Sequence, residues 1–292
     1  MKSVVVTGVS TGIGRSCVKT LLASGFRVFG SVRNQADAER MANELGNSFV
    51  PLIFDVTDQV AVAAAAKQVG EALGSETLFG LVNNAGIGVP GPLLYQKIED
   101  FEHQLRINVT GQLIVTQAFA PLLGADRDRQ GRPGRIVMMS SVSGKNGFPF
   151  LGAYCASKVA LEGLSDSLRR ELMLFGFDVI VIGPGSIATE IWEKAAAVDV
   201  TPFSSTPYRQ AIASFKDHVV ANGRKGIPAE KVSELVMHAL TAQHPKPRYT
   251  IATGRFQNLL GTVLPKRFID RLIARQLGLS YRPNKSRETP DS

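Results

Sequence analysis

The chain has 292 residues, of which 44% are hydrophobic and 20% are charged, a composition ordinary for a globular protein with a sizeable core. Its two cysteines, Cys17 and Cys155, provide no disulfide framework, and its four histidines lack metal-ligand spacing, so we expect no metal site and a reduced cytoplasmic setting. The chain also lacks a leader-like start and any run of eighteen apolar residues, so we expect no membrane-spanning segment.

The formal net charge of +8 is concentrated at the C-terminus, because the segment from Arg255 to Ser292 carries a net charge of +5. A nucleic-acid-binding protein is expected to show a basic stripe beside a recognisable binding motif, and the sequence contains no such motif. Nucleic acid is therefore not an expected partner.

Strand-like and helix-like segments alternate through the first 185 residues. Apolar runs predict strands at 3–8, 26–33, 48–56, 78–86, 134–141 and 177–185. Helical patterns lie between them at 14–25, 35–46, 58–73, 100–123 and from 152 onward, and Asp58 is the expected N-cap of the third helix. This alternation predicts an α/β fold with a doubly wound parallel sheet, Rossmann-type, and helices on both faces.

The alternation fades after Gly185. Residues 186–227 are expected to form loops and short helices that cover a substrate site, followed by a helix at 228–242 and a short strand at 248–254. We expect one catalytic domain over 1–254 and a basic extension over 255–292, whose last residues, 280–292, look frayed.

A glycine-rich loop follows the first strand and opens the first helix. In "TGVSTGIG", Gly8, Gly12 and Gly14 let the backbone turn tightly and approach a phosphate, while the helix N-terminus offers unpaired N–H groups. This context predicts a dinucleotide site that also includes Ser10, Thr11 and Ile13. The alternative is a tight strand–helix turn without a ligand.

The end of the second strand bears on the choice between the two nicotinamide dinucleotides. An NAD site places an acid there for the ribose 2′-hydroxyl, whereas this chain has Arg33 and no acid before Asp37. A guanidinium can hold a 2′-phosphate, with Ser10 or Thr11 donating from the glycine loop. We therefore expect NADP(H), with NAD(H) less favoured, unless Arg33 simply faces solvent.

Tyr154 and Lys158 are four residues apart in a helical pattern and so share one helix face. An exposed pair of this kind contributes only about 0.3–0.5 kcal/mol. In a site with little water, the lysine would instead tune the tyrosine as an acid and base. The residues elsewhere in the chain decide between these two interpretations.

The ordered motifs "TGVSTGIG", "NNAG" at 83–86, "SS" at 140–141, "YCASK" at 154–158 and "PGSIAT" at 184–189 resemble those of the short-chain dehydrogenase/reductase family. The resemblance covers about residues 3–250, and the details "VFGSVRN" and "NNAGIGVPGPL" are similar to its 17β-hydroxysteroid and retinol dehydrogenase branch. It implies a catalytic set of Asn108, Ser141, Tyr154 and Lys158. It also implies cofactor contacts from Asp55 and Val56, from Asn83, Ala85 and Gly86, from Pro184, Gly185, Ile187 and Thr189, and from Tyr154 and Lys158.

Hydride transfer to a ketone requires a proton donor, and the reverse reaction requires a base. Tyr154 serves in both directions if its pKa falls from about 10 toward neutrality, a shift of ~3 units that needs roughly 4 kcal/mol. We expect Lys158 and a positively charged oxidised nicotinamide to supply it. Ser141 would donate to the substrate oxygen, and Asn108 would hold a water that links Lys158 to solvent.

Mostly apolar residues are expected around the reacting carbon: Val89, Pro90, Leu93, Phe148, Phe150, Leu151, Ile191 and Trp192. Converging charges for a phosphate or carboxylate are missing, so we expect a bulky apolar alcohol or ketone as substrate. Each of these residues could alternatively belong to the core.

The segment 265–279 has Phe268, Ile269, Leu272, Ile273 and Leu277 along one helical face and basic residues elsewhere. Such a helix can pack on its own domain, cover the substrate cleft or lie on an anionic membrane, and we favour packing on the domain. The resemblance further implies a homodimer or homotetramer built on helices 101–122 and 154–175.

Three other functions remain open from the sequence. The chain could bind NADP(H) as a catalytically silent regulatory protein, although its complete Ser141–Tyr154–Lys158 set argues against this. It could be a sugar-nucleotide epimerase, but those enzymes usually have different glycine spacing and a larger C-terminal domain. It could also be a peripheral membrane protein whose tail is its main functional part.

Overall fold

The computed structural model describes residues 1–252 and 264–281. Their central feature is a seven-stranded, fully parallel sheet in the order β3-β2-β1-β4-β5-β6-β9. Its strands are β1 (Ser3–Val6), β2 (Arg27–Val32), β3 (Phe49–Ile53), β4 (Gly80–Asn83), β5 (Arg135–Met139), β6 (Asp178–Pro184) and β9 (Arg248–Ile251). A separate two-stranded parallel pair joins β7 (Ile187–Ala188) to β8 (Ile227–Pro228).

Helices cover both faces of this sheet. They are α1 (Gly12–Ala23), α2 (Gln35–Leu45), α3 (Gln59–Leu73), α4 (Ile98–Leu105), α5 (Gly111–Phe119), α6 (Gly152–Glu171), α7 (Ile191–Ala196), α8 (Arg209–Arg224), α9 (Ala229–Thr241) and α10 (Lys266–Leu277). One buried cluster joins α3, α5 and α6 to the sheet, and a second joins α1, α2 and α9 to the opposite face. The predicted doubly wound α/β architecture is confirmed.

The strands are continuously apolar because both of their faces are buried. Val4, Val5 and Val6 of β1 are each fully buried, as are Leu81 and Val82 of β4. Strand order reverses between β1 and β4, so the loops that follow these two strands diverge to opposite sides. In open parallel sheets, this reversal leaves the crevice in which ligands bind.

Two predictions along the chain were wrong in detail. The helix predicted over 100–123 begins at Ile98 and is interrupted by π-helical turns at Arg106–Thr110 and Pro121–Ala125. The segment 186–227, predicted as loops and short helices, contains the sixteen-residue helix α8. Its apolar Ile212 and Phe215 are buried against other covering elements, so tertiary packing stabilises a helix of modest intrinsic propensity.

The C-terminal predictions are only partly within the described residues. The boundary near 254 and most of the tail 280–292 lie outside them, whereas the amphipathic helix is present as α10. None of the helices formed by residues 1–252 and 264–281 combines the length and apolarity that a bilayer crossing needs. Within the same residues, three or more His, Cys, Asp or Glu side chains nowhere gather as a metal site would require.

Candidate active site

The glycine loop is closed by contacts that leave no room for larger residues. Gly8 and Gly12 have positive φ values of 69° and 60°, which glycine adopts without strain. A Cβ atom on Gly14 would lie 2.2 Å from the carbonyl oxygen of Gly8 and 2.6 Å from Nδ2 of Asn84. The spacing of the three glycines therefore follows from the close return of α1 onto the end of β1.

Thr7 and Asn84 tie this loop to the end of β4. The Thr7 hydroxyl accepts hydrogen bonds from the backbone N–H groups of Asn84 and Ala85 at 2.9 and 3.0 Å. The Asn84 amide donates to the carbonyl oxygens of Thr7 and Gly8 at 2.9 and 3.1 Å. These bonds hold the two edges of the crevice at a fixed separation.

The first turn of α1 is not capped by its own N-cap side chain, and one of its N–H groups binds a carboxylate from another segment. Thr11 is the N-cap residue, but its side chain makes no capping hydrogen bond, and the first turn contains no acid. The Gly12 N–H instead donates to a carboxylate oxygen of Glu190 at 3.2 Å. Because a carboxylate already lies on this N–H group, the loop suits a phosphate oxygen, and Ile13 and Gly14 continue the same turn.

Two arginines lie near the glycine loop. Arg33 is exposed at the end of β2, and its charge helps to lower the pKa of Asp37 and Asp55. Arg40 on α2 donates to the carbonyl oxygen of Ser10 at 3.1 Å and to the Asp37 carboxylate at 2.6 Å. The structure thus places a second guanidinium beside Ser10, which sequence reasoning missed.

Asp55 and Val56 follow β3. Partial burial opposes ionisation of Asp55, but hydrogen bonds from Thr57 and the charges of Arg33 and His103 leave its pKa below the usual value. Val56 is buried, and its side chain would collide with a Cβ atom on Gly111. Val56 therefore packs the start of α5, while Asp55 remains half-buried beside the crevice.

The residues after β4 lie directly over the predicted catalytic side chains. A Cβ atom on Gly86 would be 3.1 Å from Oδ1 of Asn108 and 3.7 Å from Nζ of Lys158, and one on Gly88 would be 3.4 Å from the Tyr154 ring. The Asn83 side chain is instead 1% exposed and donates to Thr116 at 2.9 Å. The cofactor contacts predicted for Asn83, Ala85 and Gly86 stay predictions.

Asn108 lies in the first π-helical turn and is fully buried. Its amide exchanges two hydrogen bonds of 2.8 Å with the backbone of Ile87 and donates a third to Ser157 at 3.0 Å. Asn108 therefore clamps the segment after β4 onto α6. The side-chain amide is already hydrogen-bonded to protein atoms, and the structure does not test the predicted water-holding role. That role stays a prediction.

Lys158 and Tyr154 lie on one face of α6, as predicted. Lys158 is 5% exposed, its ammonium donates to the Met139 carbonyl oxygen at 2.8 Å, and its Nζ lies 5.7 Å from the centre of the Tyr154 ring. Burial lowers the pKa of Lys158 to about 8, and the negative charge of Glu162 partly opposes this fall. The interpretation of a solvated surface pair is therefore wrong.

The expected fall in the pKa of Tyr154 is not supplied by the chain's own residues. Burial raises the pKa of the phenol above its ordinary value, and a hydrogen bond with Ser141 acts in the opposite direction. Burial is the larger effect, so the phenol stays protonated more readily than a free tyrosine. A positive charge brought into the cleft would act in the opposite direction.

Ser141 joins the predicted catalytic set to the segment after β6. Its hydroxyl accepts from the Ser143 N–H at 3.1 Å and donates to the Pro184 carbonyl oxygen at 3.4 Å. Gly185 packs on Ala252, and Thr189 lies against Gly12 of the glycine loop. The four residues predicted to hold the nicotinamide, Pro184, Gly185, Ile187 and Thr189, thus border the crevice between Ser141 and the glycine loop.

The predicted substrate residues divide into two groups. Phe150 is 6% exposed, has a positive φ of 62° and packs edge-on against Tyr208 and Phe215, with ring centroids 5.9 and 5.4 Å away. Trp192 donates from its indole nitrogen to Ile187 at 2.6 Å and lies against Gly223. These two residues hold the covering segment together.

The other predicted substrate residues lie nearer to solvent. Phe148 and Ile191 are 37% and 54% exposed, while Leu151 and Val89 are half-buried. Val89 is held by Gln104, a fully buried side chain that accepts from the Val89 N–H at 2.9 Å. Gln104 was not predicted, because a lone glutamine in a helical segment carries no sequence signal.

The geometry is accompanied by similarity to known proteins. The family model described as short chain dehydrogenase matches residues 2–199. The chain belongs to the short-chain dehydrogenase family. It is 37% identical over 278 residues to an NADPH-dependent 3-dehydrocapnine reductase of Ornithobacterium rhinotracheale, covering 95% of this chain and 98% of that protein.

Two mammalian relatives and one solved structure extend this similarity. Retinol dehydrogenase 16 of Mus musculus is 34% identical, and the match covers 93% of this chain and 87% of that protein. Human 17-beta-hydroxysteroid dehydrogenase type 6 is 31% identical, and the match covers 94% of this chain and 88% of that protein. The crystal structure of a short-chain dehydrogenase from Streptomyces avermitilis has a TM-score of 0.74 at 22% identity, covering 96% of this chain and 98% of that one.

These similarities establish the class of activity. The chain is a short-chain dehydrogenase/reductase, an oxidoreductase that acts on CH–OH groups with a nicotinamide cofactor and a small-molecule substrate. The predicted recognition of this family and its retinol and hydroxysteroid dehydrogenase branch is confirmed.

The contact between Gly14 and Gly8 yields a first prediction. Gly14→Ala is expected to lower the affinity for a nicotinamide dinucleotide by at least about tenfold, because the methyl group would push the loop away from its closed form. Titration followed by cofactor fluorescence measures the change. Gly163→Ala on α6 is the control, because nothing lies within 4 Å of its Cβ position; equal affinities in both variants would contradict the prediction.

The buried ammonium of Lys158 yields a prediction about pH. Its pKa of about 8 lies below the ordinary 10.5, so between these values the unfolded chain holds more protons and folding becomes more favourable as pH rises. Below pH 8 the full destabilisation, on the order of 3 kcal/mol, is present. Lys158→Met should therefore raise the free energy of unfolding more at pH 7 than at pH 10.

Urea unfolding at the two pH values measures this difference. The exposed Lys67→Met is the matched control for loss of a lysine on a helix. If Lys158→Met raised the free energy of unfolding equally at both pH values, burial of the ammonium would be refuted as the cause.

Proposed function

We propose that this enzyme interconverts a bulky apolar secondary alcohol, or a retinol-like alcohol, and its carbonyl with NADP(H). The observation that carries the proposal is the buried Lys158 beside the ring of Tyr154, with Ser141 close enough to the phenol to oppose the rise in its pKa, at the end of a glycine-loop crevice. A phenol, an alcohol donor and an ammonium that converge in one cleft suit proton exchange with a carbonyl oxygen.

In the direction of reduction, Tyr154 gives its proton to the substrate oxygen while Ser141 donates a hydrogen bond to that oxygen. The ammonium of Lys158 stabilises the resulting phenolate, and its position on the Met139 carbonyl keeps it within the site. In the direction of oxidation, the phenolate takes the proton of the alcohol. Asn108 supports these steps by clamping Ile87 against α6, and we retain as a proposal that it also holds a water toward Lys158.

The dinucleotide supplies or accepts the hydride when it is bound. The glycine loop would hold its phosphates through Gly8, Ser10, Thr11, Gly12, Ile13 and Gly14. Asp55 and Val56 would lie near its adenine, and Asn83, Ala85 and Gly86 would close the cleft around it. Its nicotinamide would be held by Pro184, Gly185, Ile187 and Thr189. The N-terminus of α1 supports this assignment, because its N-cap side chain makes no capping bond and the Gly12 N–H already donates to a carboxylate.

Preference for the phosphorylated cofactor is supported by the charges around Ser10. Arg40 is held beside the loop by Asp37 and the Ser10 carbonyl group, and Arg33 is exposed at the end of β2, where its charge helps to lower the pKa of Asp37. Guanidinium groups suit a 2′-phosphate. The relative from Ornithobacterium rhinotracheale is named as NADPH-dependent, which agrees with this preference.

The apolar character of the substrate is supported by the residues around the cleft entrance. Val89, Phe148, Leu151 and Ile191 border it, and a cluster of aromatic residues lies behind Phe150. The similar retinol and 17-beta-hydroxysteroid dehydrogenases carry names of apolar alcohols. Turnover of steroids, retinoids and medium-chain carbonyls, each with both cofactors, would identify the substrate class.

Assembly belongs to the same proposal. We infer a homodimer or homotetramer formed through α4, α5 and α6, where Val159, Met173 and Leu174 at or just beyond α6 are more than half exposed. Self-complementary apolar patches of this kind suit a twofold interface. We also infer a cytoplasmic setting, which suits the two free buried cysteines.

One observation favours a second function, a catalytically silent NADP(H)-binding protein of the same fold. Burial raises the pKa of Tyr154, which by itself makes the phenol a poor base near neutral pH. NADPH binding without turnover of any carbonyl in the panel would favour this alternative over the enzyme.

The role of Tyr154 is tested by removing its hydroxyl. Tyr154→Phe is expected to lower kcat by about 10²–10⁴-fold, the usual contribution of general acid–base catalysis, while NADPH affinity stays within about twofold. Stopped assays and cofactor titration measure the two quantities. Tyr281→Phe, at a tyrosine that is 88% exposed, is the control; undiminished turnover in Tyr154→Phe would overturn the assignment.

The cofactor preference is tested at Arg33. Arg33→Ala is expected to weaken NADPH binding by about tenfold or more and NADH binding hardly at all, because a hydrogen-bonded ionic contact contributes about 1.5–3 kcal/mol. Dissociation constants for both dinucleotides measure the effect, and Arg40→Ala shows whether the second guanidinium contributes. Arg169→Ala, which removes an arginine from an Arg–Asp pair on α6 like that of Arg40 with Asp37, is the control. Equal losses for NADPH and NADH would count against a 2′-phosphate contact.

A further inference from the structure

Helix α10 has one side packed on the domain. Leu277 is 9% exposed and belongs, with Phe150, Ile212 and Phe215, to the cluster that covers the substrate side. Ile273 packs against the same cluster from one turn earlier. The expected packing of this helix on its own domain is therefore present in the structure.

A second side of α10 is apolar and exposed. Phe268 and Leu272 are 50% and 49% exposed, and their spacing of four residues places them one above the other on the helix surface. At about 100° per residue, this row lies about 140° around the helix from the row of Ile273 and Leu277, toward the side that faces away from the domain. We refer to Phe268 and Leu272 as the exposed apolar row.

A third side of α10 is basic. Arg267, Arg271 and Arg275 repeat every four residues and form a row next to the exposed apolar row, and all three are exposed. With Lys266 and Asp270, the helix carries a net charge of +3. We refer to Arg267, Arg271 and Arg275 as the arginine row.

The segment 93–98 adds exposed apolar side chains near the same covering cluster. Leu93, Leu94 and Ile98 are 59%, 79% and 65% exposed. Tyr95 within it packs edge-on against Tyr208, with ring centroids 5.9 Å apart, and Tyr208 packs on the cluster that α10 also contacts. Helix α10 and the segment 93–98 therefore both carry exposed apolar side chains, and both pack on the same covering cluster beside the cleft entrance.

We propose that the exposed apolar row and the arginine row of α10 bind an anionic lipid surface, assisted by Leu93 and Leu94. A helix with a basic side beside an apolar side lies in the plane of a membrane interface, with its apolar residues in the acyl boundary and its cations at the head groups. This orientation would turn the entrance of the apolar cleft toward the lipid phase.

The charge of the helix favours lipid over a second copy of the chain. A twofold interface apposes the same surface from each subunit, so it would bring the two arginine rows close together. Like charges oppose such a contact, whereas an anionic bilayer neutralises them. The lipid surface is therefore the occupant that fits both rows.

Vesicle co-sedimentation of the full chain tests this proposal. The protein is expected to bind phosphatidylcholine vesicles that contain phosphatidylserine, to bind pure phosphatidylcholine vesicles much less, and to lose binding as salt increases. Arg271→Glu/Arg275→Glu should weaken the partition coefficient on anionic vesicles by roughly thirtyfold or more, since each arginine near such a surface contributes about fivefold. Phe268→Ser/Leu272→Ser should weaken binding to both kinds of vesicle.

Matched variants on remote surfaces serve as controls. Arg127→Glu/Arg132→Glu reverses two exposed arginines in the loop before β5, and Ile53→Ser/Val60→Ser removes two exposed apolar side chains. All variants should keep the circular dichroism spectrum, the melting temperature and the NADPH affinity of the original chain. Because vesicle binding is measured without substrate, its failure is distinguishable from failure of the proposed catalytic function.

Three results would overturn the proposal. The original chain could fail to bind anionic vesicles, or the remote control variants could lose as much binding as the α10 variants. Alternatively, Phe268→Ser/Leu272→Ser could convert a dimer to a monomer in sedimentation velocity while vesicle binding stays unchanged, which would assign the surface to a second copy of the chain.

Discussion

The crevice of this enzyme depends on the hydrogen bonds that join the end of β1 to the end of β4. Thr7 and Asn84 reach across this junction, and each bonds to the backbone that follows the other's strand. Because the two strands are neighbours whose loops diverge, these bonds fix the separation of the glycine loop from the segment 85–88, together with the contact of Gly8 with Ala85. The position of that segment in turn determines what lies over Asn108, Lys158 and Tyr154.

Burial at this junction has opposite consequences for the two titratable groups of the proposed catalytic pair. It lowers the pKa of Lys158 and raises that of Tyr154, so each group is driven toward its neutral form. The chain's own residues therefore favour the protonated phenol. A cationic nicotinamide has the sign of charge that would oppose this effect, which agrees with the proposed role of Tyr154.

The sheet, the glycine loop and the Tyr154–Lys158 pair could be predicted because their signals are local in sequence. Apolar runs specify strands, Asp58 accepts from two N–H groups as an N-cap should, and a spacing of four residues places two side chains on one helix face. The motif order that resembles a known family added the pairing of Ser141 with Tyr154. These features needed no knowledge of distant contacts.

The features that could not be predicted depend on contacts between remote segments. The clamp from Asn108 to Ile87 spans 21 positions. In the sequence, Arg40 is only an ordinary ion-pair partner for Asp37, three residues away; its contact with Ser10 depends on how α2 packs in the fold. The raised pKa of Tyr154 depends on how much water the folded cleft excludes. Helix α8 was missed for the same reason, because its apolar side is stabilised by Phe150 and Leu277 rather than by its own sequence.

The third core cluster explains how a substrate site and a surface helix are connected. Phe150, held in a left-handed backbone conformation directly before α6, inserts its ring between Tyr208 and Phe215 of the covering segment. Strain of this kind persists where the surrounding packing compensates for it, and Leu277 of α10 is part of that packing. Helix α10 and the backbone four residues before Tyr154 are therefore supported by the same few aromatic rings, which is why the surface helix and the predicted substrate residues belong to one packing unit.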